Sequence, residues 1–150
     1  MNYLLDTNVI SSLAPTRADR PAALVEWIDC QSDRLYLSVV AAAAIEAGIR
    51  KAAREGARSK AASLSQWWET VRHFYGERIL PLDLPAALIA GALFDRSRAL
   101  GLAPGFADIA IAAIAQRHAL TILTRNLKHF SPLHDAVIDP FAELPDDASS

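Results

Sequence analysis

The sequence predicts an α/β fold in which a mainly parallel central sheet is covered by helices on both faces. Short apolar runs rich in Leu, Ile and Val alternate with longer segments whose apolar residues recur at helical spacing. The clearest strand candidates also end in residues suited to turns and helix caps: Asp6-Thr7-Asn8 after the first and Thr124-Arg125-Asn126 after LTIL. Strand and helix in alternation call for crossover connections, which lay strands parallel and bury both sheet faces.

Taken in order, Tyr3 to Leu5 is a strand that runs into a helix carrying Val9, Ile10 and Leu13. Pro21 suits the first turn of a helix with Leu24, Val25, Trp27 and Ile28, and Leu35 to Val40 reads as the next strand. From Ala41 to Tyr75 the composition predicts two helices in a hairpin broken at Gly56, the second carrying Leu64, Trp67, Trp68 and Val71. Two adjacent tryptophans point about 100° apart on a helix, so one is expected to be less buried than the other.

Ile79 to Leu82 is a short strand whose Pro81 suits an edge or a strand end. Pro85 opens a helix that stops at Gly101, and Phe106 to His118 is helical and unusually apolar. Leu120 to Leu123 is a buried-type strand, Val137-Ile138 a last short one, and residues 141–150 a polar tail expected to be disordered at its end. The 150 residues are read as one domain, since the chain is long enough for one sizeable core and short for two.

Charge and composition narrow the function. A formal charge of -2 lacks the strongly basic balance common in nucleic-acid binders, a weak argument because a local basic patch or a metal ion can serve instead. With one cysteine, Cys30, there is no intramolecular disulfide and no thiolate metal cluster, which fits a reducing cytoplasmic home. No export signal, membrane anchor or apolar run of the roughly 20 residues a membrane span needs is visible.

Asp6 directly follows the first strand, which places it at the carboxyl edge where ligands bind in such sheets; alone it is equally well explained as a helix cap. Asp108 stands in the first turn of the apolar helix, as the one charged residue between Arg98 and Arg117. The helix dipole favours a carboxylate there, but one borne by a buried helix needs a partner or a metal. Thr124 and Asn126 add a hydroxyl and an amide at the same edge as Asp6, although as turn residues they need no special explanation.

Carboxylates with neutral oxygen donors suit Mg²⁺ or Mn²⁺. Zinc is disfavoured because His73, His118, His129 and His134 show no paired spacing on one helix; His129, close behind Asn126, is kept as a candidate of unassigned role. An aspartyl-nucleophile phosphatase would want a second acid at position 8, which is Asn8. Arg50, Arg54 and Arg58 recur at i, i+4 spacing and, with Lys51 and Lys60, are a candidate grip for nucleic-acid phosphates, against the simpler reading of a solvated helix face.

LLDTN, LSVV with its following IEAGI, ILPLD, PGFADIAIAAIA and TRN, in this order between Tyr3 and about Pro140, resemble the PIN domain and, within it, the VapC toxins of bacterial toxin and antitoxin pairs. The resemblance implies a three-layer α/β/α sandwich and a Mg²⁺- or Mn²⁺-dependent ribonuclease held inactive by a cognate VapB-type antitoxin. It implies further that the antitoxin docks in a groove near the tryptophan-bearing hairpin, that toxin subunits pair as homodimers, and that larger assemblies sit on operator DNA through the antitoxin. By the same resemblance Asp6 and Asp108 match acidic metal ligands, and Thr124 and Asn126 the polar strand-end motif of the catalytic pocket.

Two positions depart from the pattern. The family usually carries a glutamate where this chain has Ala44, and an acid where it has His129 before Phe130. Glu46 is two residues from position 44, a rotation of about 200° along a helix, so it faces away and is no simple substitute. Three readings stand open: a natural loss, an engineered inactivation, or a carboxylate supplied from elsewhere. A module that binds antitoxin and supports operator binding without catalysis is the competing function.

Overall fold

In a computed structural model, which describes residues 1–146, the chain alternates strands and helices throughout. β1 (Tyr3–Leu5) leads into α1 (Thr7–Ser11) and α2 (Ala22–Cys30). β2 (Leu35–Ser38) is followed by the hairpin of α3 (Val39–Arg54) and α4 (Arg58–Tyr75), then β3 (Ile79–Leu80) and α5 (Leu84–Ala99). α6 (Phe106–Arg117), β4 (Thr121–Leu123), α7 (Leu127–Phe130) and β5 (Val137–Ile138) complete the order.

The strands lie in the order β3-β2-β1-β4-β5, each neighbouring pair parallel. Successive strand residues alternate between the faces. Tyr3, Leu5, Leu35, Leu37 and Leu123 pack with α1, α2, α3 and α4, whereas Leu4, Leu80 and Ile122 pack with α5 and α6. Two cores separated by one sheet make the expected three-layer sandwich. α6 is buried continuously from Ile109 to Ala115, and its alanines let it lie close against α5 and the sheet.

Several boundaries moved. The strand expected over Leu35 to Val40 ends at Ser38, whose hydroxyl accepts the Ala41 N–H at 3.1 Å and starts α3 inside the β-branched run. Pro81 terminates β3, which is an edge strand as expected. Gly56, at φ 87°, turns α3 into α4 in the left-handed region that glycine enters without penalty. Within the polar tail expected from about 141, Phe141 and Leu144 pack on the α1–α4 side of the core. The disorder expected at its end falls on residues 147–150, outside the described residues.

This topology decides where a site forms. From β1 the chain builds outward through β2 to β3, then returns to lay β4 against the other side of β1. The connections after β1 and β4 therefore diverge and leave a crevice between the carboxyl ends of these two strands. Among the described residues no helix is long and apolar enough to cross a membrane.

Candidate active site

Asp6 and Thr124 stand side by side at this switch point. The Asp6 N–H donates to the Leu123 carbonyl at 2.9 Å and the Thr124 N–H to the Ile138 carbonyl at 3.0 Å, so the sheet hydrogen bonds set both backbones. Thr124 is completely buried; its hydroxyl donates to Asp6 Oδ2 at 2.8 Å and accepts the Asn126 N–H at 3.0 Å. Asp6 Oδ1 accepts the Thr7 N–H at 2.8 Å, making Asp6 the cap of α1 as well. The cap and the site are one geometry.

Asp108 enters from the first turn of α6, with 28% of its side chain exposed, and its Oδ2 lies 3.6 Å from His129 Nδ1 on α7. Asp108 and His129 both act electrostatically on Asp6. Burial raises the Asp6 pKa above the ordinary 3.8; the hydrogen bonds from Thr124 and Thr7 oppose it, Asp108 adds a smaller upward push, and His129 pulls down. A buried carboxylate pushed up by a second carboxylate is an arrangement that a cation relieves.

Asn126 contributes through its backbone, and its side chain is on the exposed cap of α7. Asn8, passed over in the sequence except as the wrong residue for a phosphatase, accepts the Arg125 N–H at 3.3 Å and ties α1 to the loop after β4. Lys128 was also missed; it lines a cavity of about 250 Å³ with Asp108 and His129, beside Pro104 and Gly105. Its only sequence signal was adjacency to His129. His134 has a structural contact, its Nε2 2.8 Å from the Leu120 carbonyl.

The α3 side differs. Ala44 is exposed and lines another cavity, with Ser11, Arg17 and Lys51. Glu46 is 3.2 Å from Arg50 in an i, i+4 pair, consistent with its facing away from the site. Arg54 ends α3 and Arg58 begins α4 beyond the Gly56 turn, so the three arginines do not form the single helical stripe their spacing predicted.

Asp6 and Asp108 supply hard oxygen donors of the type Mg²⁺ or Mn²⁺ accepts while keeping several waters, and the buried Thr124 hydroxyl, bonded to Asp6 Oδ2 and to the Asn126 N–H, positions the first of them. Among the described residues no group of three Asp, Glu, His or Cys side chains is arranged to hold a metal. Asp6 and Asp108 are the two carboxylates that would hold such an ion, and among the described residues no third carboxylate stands in for Ala44.

A parallel α/β/α sandwich with an acidic pair at its switch point is the architecture of a PIN domain, and the PIN domain family model matches residues 3–131. The chain belongs to that family. Plasmid stability protein StbB of Pseudomonas syringae pv. tomato is 36% identical over 92% of this chain and 97% of its own length. VapC ribonuclease Y4jK of Sinorhizobium fredii is 32% identical over 92% of this chain and 96% of its own. The solved FitAcB of Neisseria gonorrhoeae superposes with a TM-score of 0.81 at 33% identity, covering 93% of this chain and 98% of that one. Other structural neighbours are VapBC toxin-antitoxin complexes.

Proposed function

We propose that this chain is the toxin of a type II toxin-antitoxin system and hydrolyses RNA phosphodiester bonds at Asp6 and Asp108, with activity weakened by Ala44. The observation that carries this reading is the Asp6-Thr124 hydrogen bond, which holds a buried carboxylate within electrostatic reach of Asp108. Such an ion, when bound, polarises the phosphate and lowers the pKa of an attacking water.

The protein's own contribution is positioning. Thr124 fixes Asp6 Oδ2, the Thr7 amide fixes Oδ1, and α6 carries Asp108 in its first turn, near enough to act on Asp6 electrostatically. Asn126 holds the Thr124 hydroxyl aimed at Asp6 by donating its N–H to that oxygen. The partner is a cognate VapB-type antitoxin, by analogy with the toxin-antitoxin complexes among its neighbours.

Mg²⁺- or Mn²⁺-dependent RNA cleavage is to be measured for this chain, for Ala44→Glu, and for Asp6→Asn in the Ala44→Glu background. The expected result is a gain on Ala44→Glu that Asp6→Asn abolishes. An Ala44→Glu protein no more active than its parent, or one indifferent to Asp6→Asn, overturns the assignment.

The absence of a third convergent acid among the described residues favours one second reading, a non-catalytic module that binds antitoxin and supports operator binding. That module would show no Mn²⁺-dependent thermal stabilisation that Asp6→Asn removes.

A further inference from the structure

Ala44 lines a cavity of about 570 Å³ between the end of α1, its following loop and the α3–α4 hairpin. Arg17, Lys51 and Lys60 face it against a single acid, Glu55, leaving two positive charges in excess. Clefts lined by one sign of charge focus the field onto a ligand of the opposite sign. Ser11 and Thr16, whose hydroxyl groups are of the type that donates to phosphate oxygens, line the same space. Trp67, half-buried where its neighbour Trp68 is buried, offers a ring on which a base can stack.

The cavity adjoins the carboxylate site through α1. Ser11 is five residues beyond Asp6, a rise of about 7.5 Å along the helix that Asp6 caps. The cavity across Trp67, lined by Leu13, Val25, Val71 and Phe74, pairs one arginine with one aspartate and has no charge excess. A glutamate at position 44, which the family resemblance implies, would halve the excess in the first cavity.

Resting on the ribonuclease reading, we propose that this cavity is a metal-independent binding site for the phosphodiester backbone of single-stranded RNA. Its cations are Arg17, Lys51 and Lys60, not the Arg50, Arg54 and Arg58 set. Alanine at position 44 favours anion binding here, because it leaves the cavity's positive excess undiminished.

The test is fluorescence anisotropy of a labelled short single-stranded RNA in EDTA, with the full chain and with two charge-matched triple variants checked for folding by circular dichroism. For R17A/K51A/K60A the slope of log affinity against log salt should fall by roughly 2. The parent should therefore lose about 18-fold more affinity than this variant between about 50 and about 200 mM salt. R50A/R54A/R58A should change the slope less, and Ala44→Glu should weaken binding without abolishing it. Should the first triple variant not fold, the glutamine singles Lys51→Gln and Lys60→Gln carry the same test, each expected to lower the slope by about 0.7.

Equal losses in both triple variants, unchanged slopes in the glutamine singles, or no RNA binding by the parent would overturn the cavity assignment. So would tighter binding of a polyglutamate peptide than of RNA, which would mark an acidic protein partner. These outcomes are separate from the nuclease reading: a parent that binds RNA in EDTA, while Ala44→Glu never cleaves with metal, removes that reading alone.

Discussion

The carboxylate crevice and the α3 face beside it are built differently. On the β1–β4 side, Asp6 and Thr124 are buried, hydrogen-bonded to each other at 2.8 Å, and set by backbone bonds of the sheet. On the α3 side, Ala44 is exposed and lines a cavity with Arg17 of the loop after α1, Lys51 of α3 and Lys60 of α4. The first side has little freedom to change, because an altered group there leaves a buried polar partner unsatisfied. The second can lose or gain an acid with little effect on the fold, so a departure from the family pattern is accommodated there.

Mutations can break this contrast. The largest effect is expected from Asp6→Asn in the Ala44→Glu background: a fall in cleavage beyond about 100-fold, above the 10–100-fold typical of groups that only support a metal ligand. Thr124→Val should fall within that 10–100-fold range and also destabilise the protein by about 1–3 kcal/mol, measured by urea unfolding, because it removes a buried donor from Asp6. A Thr124→Val protein as stable as its parent would mean that this side is not set as described.

Protonation sharpens the same point. The folded state holds the Asp6 proton at a higher pH than the unfolded chain, whose aspartate titrates near the ordinary 3.8. Its contribution therefore favours folding below that value and declines as pH rises through the raised one. In metal-free buffer, the melting temperature of Asp6→Asn relative to the parent should rise between about pH 3, below both values, and about pH 7, whatever the variant loses in hydrogen bonding. A difference independent of pH would dissociate the stability change from ionisation.

The α3 side should respond least in stability. Ala44→Glu is expected to change unfolding free energy by under about 0.5 kcal/mol, as surface substitutions usually do, while raising metal-dependent cleavage. Glu46→Ala should lose only about 0.3–0.5 kcal/mol from its exposed pair with Arg50 and leave cleavage unchanged. A cleavage defect in Glu46→Ala would return that acid to the site.

Elements were legible where the local pattern and the tertiary environment agreed. The β1 run, the hairpin break at Gly56, the edge character of Ile79-Leu80 and the apolar α6 were all readable, since periodicity, glycine conformation and the missing proline donor are properties of the residues themselves. The end of β2 was not. Val39 and Val40 favour a strand, but the Ser38 cap and the packing of α3 beside β2 draw them into the helix. Phe141 and Leu144 likewise looked like part of a polar tail because their partners are distant in sequence.

What the sequence determined by itself is the strand-helix alternation, the placement of Asp6, Thr124 and Asn126 after strands, and Asp108 in the first turn of an apolar helix. These follow from local spacing and residue type. Only the tertiary structure decided that Asp6 bonds Thr124 across 118 positions, that Asp108 meets His129, and that Arg17 joins Lys51 and Lys60 around Ala44. Those contacts depend on strand order and on how α1 sits against the hairpin. Side chains far apart in sequence become neighbours only when the packed sheet and helices fix their places.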